Sequence, residues 1–137
     1  MIDINIIRNK PELLKEGLKK RGMDPSIVDA LAKQDKKWRS LLTESEELKA
    51  ERNRVSKEIG ATKDKAERDK KIVEMRVVAD RISDLDEQIR EIDKDLNRTM
   101  AIIPNIPHED VPEGKDESEN VVIRTVGEKA AFDFKPK

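Results

Sequence analysis

The sequence lacks cysteine and has only three aromatic residues, Trp38, Phe132 and Phe134, among its 137 residues. Without cysteine it can form no disulfide framework, thiolate nucleophile or zinc ribbon, and a reducing compartment is indicated. No apolar run approaches the roughly 20 residues of a membrane span, and no basic leader precedes an apolar stretch at the N-terminus. We therefore expect a cytoplasmic protein that does not bind a membrane.

Apolar residues are also scarce, at 35%, whereas 43% of the residues are charged. An average domain has about 25% charged and 45–50% apolar residues, so an ordinary globular core is excluded. Intrinsic disorder or long solvent-exposed helices remain, and hydrophobic periodicity decides between them. The 29 basic and 30 acidic residues nearly cancel, so any anionic partner must be recognised by a local patch.

Helix breakers are absent from most of the chain, since no proline lies between Pro25 and Pro104 and Gly60 is the only glycine between them. Before this stretch, Asn9 as a cap with Pro11 in the first turn predicts a helix start, and Gly22 predicts its end. Asp24 followed by a proline predicts the start of the next helix. We thus expect short N-terminal helices followed by one long helix-forming stretch.

Heptad repeats run through this stretch on both sides of Gly60. In the first half seven of ten seam positions are apolar, and in the second half eight of nine are. The seam residues are Leu31, Trp38, Ser45, Arg52 and Ile59 at a with Ile27, Gln34, Leu41, Leu48 and Val55 at d, then Met75, Ile82, Ile89, Leu96 and Ile103 with Val78, Leu85, Ile92 and Thr99. The pattern predicts an all-α fold: a long antiparallel two-helix coiled-coil hairpin at about residues 25–100, with its tip at about residues 60–66.

Residues 104–137 differ in composition, because Pro104, Pro107 and Pro112 interrupt an acidic segment. The apolar run 121–123 that follows is β-prone. We therefore divide the sequence into a helical arm at residues 1–103 and an irregular linker at residues 104–137 that can carry one short strand.

No catalytic constellation is visible in the sequence. The single histidine, His108, lies in the linker, where a solvated loop residue is the simplest interpretation. The carboxylates between Asp84 and Asp95 are interpreted as a solvated helix face rather than a cation site, and no glycine-rich phosphate loop exists. We expect neither an active site nor a cofactor or metal site in this sequence.

Charge is distributed unevenly along the predicted hairpin. Residues 49–76 contain ten basic and six acidic residues, a net charge of +4, whereas residues 84–95 contain two basic and six acidic residues, a net charge of −4. A polyanion would be attracted to the tip and repelled from the base. The alternative is that alternating Lys and Glu only solubilise a long helix through i,i+4 pairs.

Arg52 stands out because it occupies an a position of the seam, where a buried guanidinium is costly. Near the tip its side chain can reach past the seam to solvent or to a ligand. The alternative is a polar a residue that fixes the register of the coiled coil.

Four ordered groups of residues resemble the N-terminal tRNA-binding arm of bacterial-type seryl-tRNA synthetases. They are the segment ERNRVSKEIG at 51–60, the N-terminal residues 1–13 with Lys20-Arg21-Gly22, the residues Asp35 and Trp38-Arg39, and the linker segments IPNIPH at 103–108, Val111-Pro112, Gly114-Lys115-Asp116-Glu117 and Asn120. The resemblance covers nearly the whole sequence, and the four groups follow the order of that family.

The resemblance implies an antiparallel coiled coil that projects from a class II synthetase and grips the long variable arm of serine tRNA. It assigns the RNA contacts to the distal residues Arg52, Asn53, Arg54, Ser56, Lys57, Lys63, Lys65, Arg68, Lys70 and Lys71. The parent enzyme would be a homodimer with ATP and Mg²⁺ bound in a catalytic domain that follows Lys137, so we expect this chain to bind tRNA without charging it. The isolated arm is expected to be a monomer. A structural or protein-interaction coiled-coil hairpin is the alternative.

Overall fold

A computed structural model describes residues 2–114, 116–128 and 131–135. Within these ranges four α-helices follow one another: α1 (Ile4–Asn9), α2 (Pro11–Lys20), α3 (Ser26–Ala61) and α4 (Lys65–Ile102). A single 3₁₀ turn follows at Glu117–Glu119. The predicted all-α hairpin is confirmed, because α3 and α4 pack against each other along their length and are joined by the short turn at residues 62–64.

The two short helices precede the hairpin, as expected, but Asn9 does not cap the second one. Asn9 is the last residue of α1, and Lys10 occupies the cap position before Pro11. The asparagine prediction is wrong because α1 continues up to the residue before that cap, leaving no room for a loop. Gly22 does end α2 as predicted: its φ of 67° is left-handed, and the next amide, of Met23, donates to the Leu18 carbonyl at 2.9 Å.

Aspartate side chains accept hydrogen bonds from the first turns of both long helices. At the tip, Asp64 is the N-cap of α4, and its carboxylate accepts from the backbone N–H of Glu67 at 2.8 Å. The N-cap of α3 is Pro25 and has no side-chain cap, but the Asp24 carboxylate before it accepts from the backbone N–H of Ser26 at 2.9 Å and from its hydroxyl at 2.7 Å. Both carboxylates thereby satisfy helix N–H groups that otherwise have no partner in the first turn.

The predicted seam is the contact surface between the two arms. All ten seam positions of α3, and all nine from Met75 to Ile103, are buried or half-buried. With 36 and 38 residues, the arms extend roughly 54 and 57 Å at 1.5 Å per residue. The heptad register read from the sequence is thus the register of the structure.

The apolar core lies at the base of the hairpin, where α1 and α2 cover the long helices. Its members are Ile2, Ile7, Leu14, Leu18, Val28, Leu31, Leu96, Met100 and Ile103. The buried Gly17 of α2 lets the chain after α4 approach closely, because a Cβ there would lie 3.3 Å from Pro107 Cδ. In contrast, no residue from 46 to 81 is buried, because each arm there has only the other arm as a neighbour.

A buried carboxylate fastens α1 to the hairpin. Asp35 is 2% exposed, and it accepts hydrogen bonds from Arg8 Nη2 at 2.6 Å and Arg39 Nε at 2.9 Å. The Arg8 guanidinium holds the pKa of Asp35 below its usual range, against the burial that raises it, and Arg39 lowers it further. The ionised carboxylate is therefore the form that the folded base requires.

The described part of the linker is largely irregular. Val121, Val122 and Ile123 are 67%, 77% and 92% exposed and form no strand. The short strand considered for this run is not formed, because no second strand within the described residues offers it a hydrogen-bonding partner. The predicted linker also includes residues 115, 129, 130, 136 and 137, which lie outside the described residues. Among the described helices, none is long and apolar enough to span a membrane.

Replacing Asp35 by alanine should lower the free energy of unfolding by about 2–3 kcal/mol, because Arg8 and Arg39 lose a buried partner. Urea unfolding followed by circular dichroism measures this loss. The matched control is Asp29→Ala in the same helix: Asp29 is 68% exposed where it pairs with Lys15 at 2.8 Å, so its loss should cost less than about 1 kcal/mol. Equal costs for the two variants would contradict the role of Asp35.

Stability should also depend on pH through Asp35. Since its pKa is lower in the folded than in the unfolded chain, the contribution is complete above the unfolded value of about 3.9 and is lost as the pH falls through the folded value. The variant Asp35→Asn should therefore lose less stability than the parent chain between pH 5 and pH 2. Parallel acid profiles for the two proteins would show that another group dominates.

Candidate nucleic-acid interface

Each edge of the seam is marked by contacts between the two arms. On one side, Glu44 accepts from Arg81 Nη2 at 2.7 Å, and Glu58 lies 3.6 Å from Lys71 Nζ. On the other side, Asp86 accepts from the Ser45 hydroxyl at 2.8 Å and from Lys49 Nζ at 2.7 Å. In an antiparallel coiled coil the g positions of both helices border one edge of the seam, as Glu44 and Arg81 do, and the e positions border the other, as Lys49 and Asp86 do. Ser45 and Lys71 reach these edges from adjacent seam positions. The hairpin thus has two distinct flanks.

The flank on the Lys49 side is basic in its distal half, and we call it the arginine flank. Helical spacing places seven residues there: Lys49, Arg52, Asn53 and Ser56 from α3, and Lys65, Arg68 and Arg76 from α4. Arg52 is half-buried, and the three cations of α4 are exposed. Within the described ranges no ion-pair partner is present for four of these cations, Arg52, Lys65, Arg68 and Arg76. Asp69 is the carboxylate that heptad spacing adds to this flank.

The opposite side, which we call the glutamate flank, has Glu51, Glu58, Glu67 and Glu74 in its distal half. Two of its three cations are engaged locally: Lys71 Nζ lies 3.6 Å from Glu58 and 3.5 Å from Glu67, and Arg54 lies 3.7 Å from the Glu51 carboxylate. The third, Lys70, is exposed and has no ion-pair partner among the described residues. An approaching anion would therefore meet four carboxylates and one free cation here.

The ten predicted site residues are therefore not brought together on one surface. The arginine flank holds Arg52, Asn53, Ser56, Lys65 and Arg68, whereas the glutamate flank holds Arg54, Lys70 and Lys71. Lys57 is exposed on the outer face of α3, away from the seam, and Lys63 lies in the tip turn. The assignment of these ten residues to RNA contacts stays a prediction.

Arg76 was not among the predicted site residues, although it belongs to the same surface as Arg52 and Arg68. It directly follows the seam residue Met75, which puts it at a b position beside the e positions of the arginine flank. The heptad assignment is sufficient to place Arg76 on the arginine flank. A net charge summed along the sequence does not show this placement, because residues adjacent in sequence face opposite flanks.

Toward the base of the hairpin, Asp86 is engaged rather than free. The ammonium group of Lys49 and then the Ser45 hydroxyl lower the pKa of its carboxyl group. His108 is exposed, and its Nδ1 lies 3.4 Å from Asp110. Across the part of the chain that the structure describes, no group of three His, Cys, Asp or Glu side chains could hold a metal ion.

Comparison with known proteins places this hairpin in a family. The family model for the seryl-tRNA synthetase N-terminal domain matches residues 1–107. The chain belongs to this family. Its match ends at Pro107, the residue that packs against Gly17 of α2.

Relatives of this seryl-tRNA synthetase N-terminal domain are similar over the whole chain. The serine–tRNA ligase of Roseiflexus sp. (strain RS-1) is 48% identical over 137 residues, and that of Listeria welshimeri is 47% identical over 138. In both cases all of this chain is covered, but only 32% of the relative. The chain thus spans about a third of the length of the curated relatives that it matches.

Solved structures agree with this fold. Seryl-tRNA synthetase from Pyrococcus horikoshii, complexed with ATP, superposes with a TM-score of 0.81 and 39% identity over 88% of this chain and 28% of its own. The cytoplasmic serine–tRNA ligase of Naegleria fowleri, in complex with AMP, gives a TM-score of 0.74 and 25% identity over 93% of this chain and 28% of its own.

The seam position of Arg52 leaves two roles open: its side chain reaches a ligand, or it fixes the register of the coiled coil. One substitution distinguishes them. Arg52→Leu should raise the stability of the hairpin by about 1 kcal/mol, because an apolar side chain fills the half-buried a position. At the same time it should weaken RNA binding, because a free cation is removed. Urea unfolding and a binding titration measure the two effects. If Arg52 instead fixes the register, the leucine variant will form mixed oligomers by light scattering.

Proposed function

We propose that this domain is the tRNA-binding arm of a serine–tRNA ligase and that it binds the long variable arm of serine tRNA. The observation that carries the proposal is the group of unpaired cations near the tip of a hairpin of this family. Four of these cations, Arg52, Lys65, Arg68 and Arg76, are spread along the arginine flank and have no carboxylate partner in the described ranges. They are available to phosphate groups.

The shape of the domain favours contact with the RNA backbone rather than with base edges. Two packed helices form a rod without a deep cleft in its distal half. Double-stranded RNA has a major groove too deep and narrow for side chains to read, so proteins recognise it by shape, phosphates and 2′-hydroxyl groups. A long variable arm adds such a double-stranded stem, which a tRNA with a short variable arm lacks.

For the whole protein, we propose the activity of its relatives: attachment of serine to tRNA with ATP and Mg²⁺. The relatives are about three times as long as this chain, and we place the catalytic chemistry, the ATP and the Mg²⁺ in the part of their length that it does not span. We also propose that the whole protein is a homodimer, in which the arm of one subunit guides tRNA toward the active site of the other subunit. The role of the present domain in that reaction is to bind and orient the RNA.

The 137-residue chain should bind serine tRNA more tightly than a tRNA with a short variable arm. If four cations neutralise four phosphates, the logarithm of the affinity should fall with the logarithm of the salt concentration with a slope of about −3. That slope corresponds to about 60-fold weaker binding at 200 mM than at 50 mM salt. Fluorescence titrations of both tRNAs at several salt concentrations measure these quantities. Equal affinity for the two tRNAs would refute the proposed specificity.

A protein-interaction hairpin is the second candidate function, and exposed valines on α4 favour it. Val73 and Val77 are 60% and 68% exposed and lie one turn apart on the outer face of α4. Two valines are a small patch compared with the several hundred Å² typical of interaction surfaces. We therefore expect the isolated chain to be a monomer by light scattering at high concentration. A concentration-dependent dimer would favour the second candidate.

A further inference from the structure

We propose that RNA lies against the arginine flank alone and that the glutamate flank faces away from it. This inference rests on the proposed tRNA-binding function and assigns the side of the hairpin that performs it. The sequence has one basic distal half, whereas the structure has two distal surfaces of opposite character.

The two flanks act separately in physiological salt. A helix with its side chains is about 10 Å across, whereas electrostatic screening at 0.15 M ionic strength has a length of about 8 Å. Charges on one flank are therefore largely screened at the other. The net charge of the distal half then matters less than the charges on the side that RNA approaches.

On the arginine flank, four cations are free and one carboxylate, Asp69, opposes them. On the glutamate flank, Lys71 is held between Glu58 and Glu67, and Arg54 lies beside Glu51. Lys70 is the one cation of this flank that has no ion-pair partner among the described residues. A phosphate that docked on the paired cations would have to displace their carboxylates, and it would also approach Glu74, which has no ion-pair partner there either. With four free cations against one, the arginine flank attracts a polyanion more strongly.

The arginine flank also has the extent and the chemistry that an RNA backbone requires. From Lys65 to Arg76 the α4 side spans roughly 16 Å at 1.5 Å per residue. Across from it, the exposed Asn53 and Ser56 of α3 are neutral donors that can bond phosphate oxygens or 2′-hydroxyl groups. Arg52 contributes from the seam, because a long side chain can keep its stem against apolar neighbours while its guanidinium reaches the flank.

Two arginines allow a matched test because they lie level on opposite flanks. In an antiparallel pair, the residue numbers of level positions have a nearly constant sum, which is 129 for Glu58–Lys71 and 131 for Ser45–Asp86. Residue 54 therefore lies level with residue 76. Arg54 belongs to the glutamate flank and Arg76 to the arginine flank, and both side chains are exposed.

The first experiment compares Arg76→Ala and Arg54→Ala in binding titrations with serine tRNA. Arg76→Ala should weaken binding about tenfold at low salt and reduce the salt slope by about 1. Arg54→Ala should change the affinity less than about twofold, as expected for an exposed, locally paired cation. Circular dichroism establishes that both variants keep their helicity. A loss for Arg54→Ala equal to or larger than that for Arg76→Ala would overturn the inference.

A second pair of variants predicts a gain of affinity, which unfolding cannot imitate. Asp69→Asn removes the carboxylate of the arginine flank and should strengthen binding about threefold, whereas Glu74→Gln on the other flank should leave it unchanged. An equal or larger gain for Glu74→Gln would contradict the assignment of the flanks. Failure of the proposed function looks different, because the parent chain would then bind both kinds of tRNA equally before any residue is changed.

Discussion

The distal surface of this domain depends on the register of α3 against α4. Ser45 occupies an a position in the middle of the seam, where it is completely buried. Its hydroxyl donates to Asp86 across the seam at 2.8 Å, and Lys49 neutralises the same carboxylate at 2.7 Å. Sliding α4 by one heptad so that Ala79 lies opposite Ser45 would remove this partner from a buried hydroxyl, which costs about 1–3 kcal/mol.

The register in turn creates the two flanks. Heptad position decides whether a charged residue borders one edge of the seam or the other, so Glu51 and Arg52 are adjacent in sequence but lean toward different flanks. The same rule puts Glu74 and Arg76 on opposite sides of α4. A weakly basic segment thereby becomes a rod with one cationic and one mainly anionic edge. The pattern arises from helix geometry alone and needs no bound ligand to organise it.

The periodicity of the apolar residues was sufficient to predict the helical hairpin, because in a coiled coil the apolar repeat directly defines the surface through which the helices pack. Every predicted seam position is at least half-buried, and the tip lies where the apolar repeat stops. Features that depend on a third element were harder to predict. Asp35 occupies an e position, which a two-helix pattern leaves solvent-exposed, and its burial requires Arg8 of α1. The cap at Lys10 likewise depends on where α1 ends.

The candidate site was predicted less completely than the fold, and the reason is physical. The family resemblance and the local charge selected a segment of the chain, but a segment of helix faces all directions. Arg54, Lys70 and Lys71 were therefore grouped with Arg52 and Arg68, although they project from the other flank. Arg76 was left out, although the heptad places it beside them. A residue can be assigned to a flank only when the pairing of both arms is known. The heptads define that pairing only once the two helices are placed side by side in the hairpin.

The buried core and the proposed RNA-binding surface occupy opposite ends of the molecule. At the base, α1, α2 and the residues up to Pro107 cover the hairpin and supply the buried core, whereas nothing from residue 46 to residue 81 is buried. A distal seam that includes the half-buried Arg52 loses apolar contact at that position and presents a cation instead. Because local stability follows buried contacts, the distal arms are held mainly through their continuity with the base. A ligand that binds only the closed hairpin stabilises it by mass action, so the cations that weaken the free tip are also the groups through which bound RNA would reinforce it.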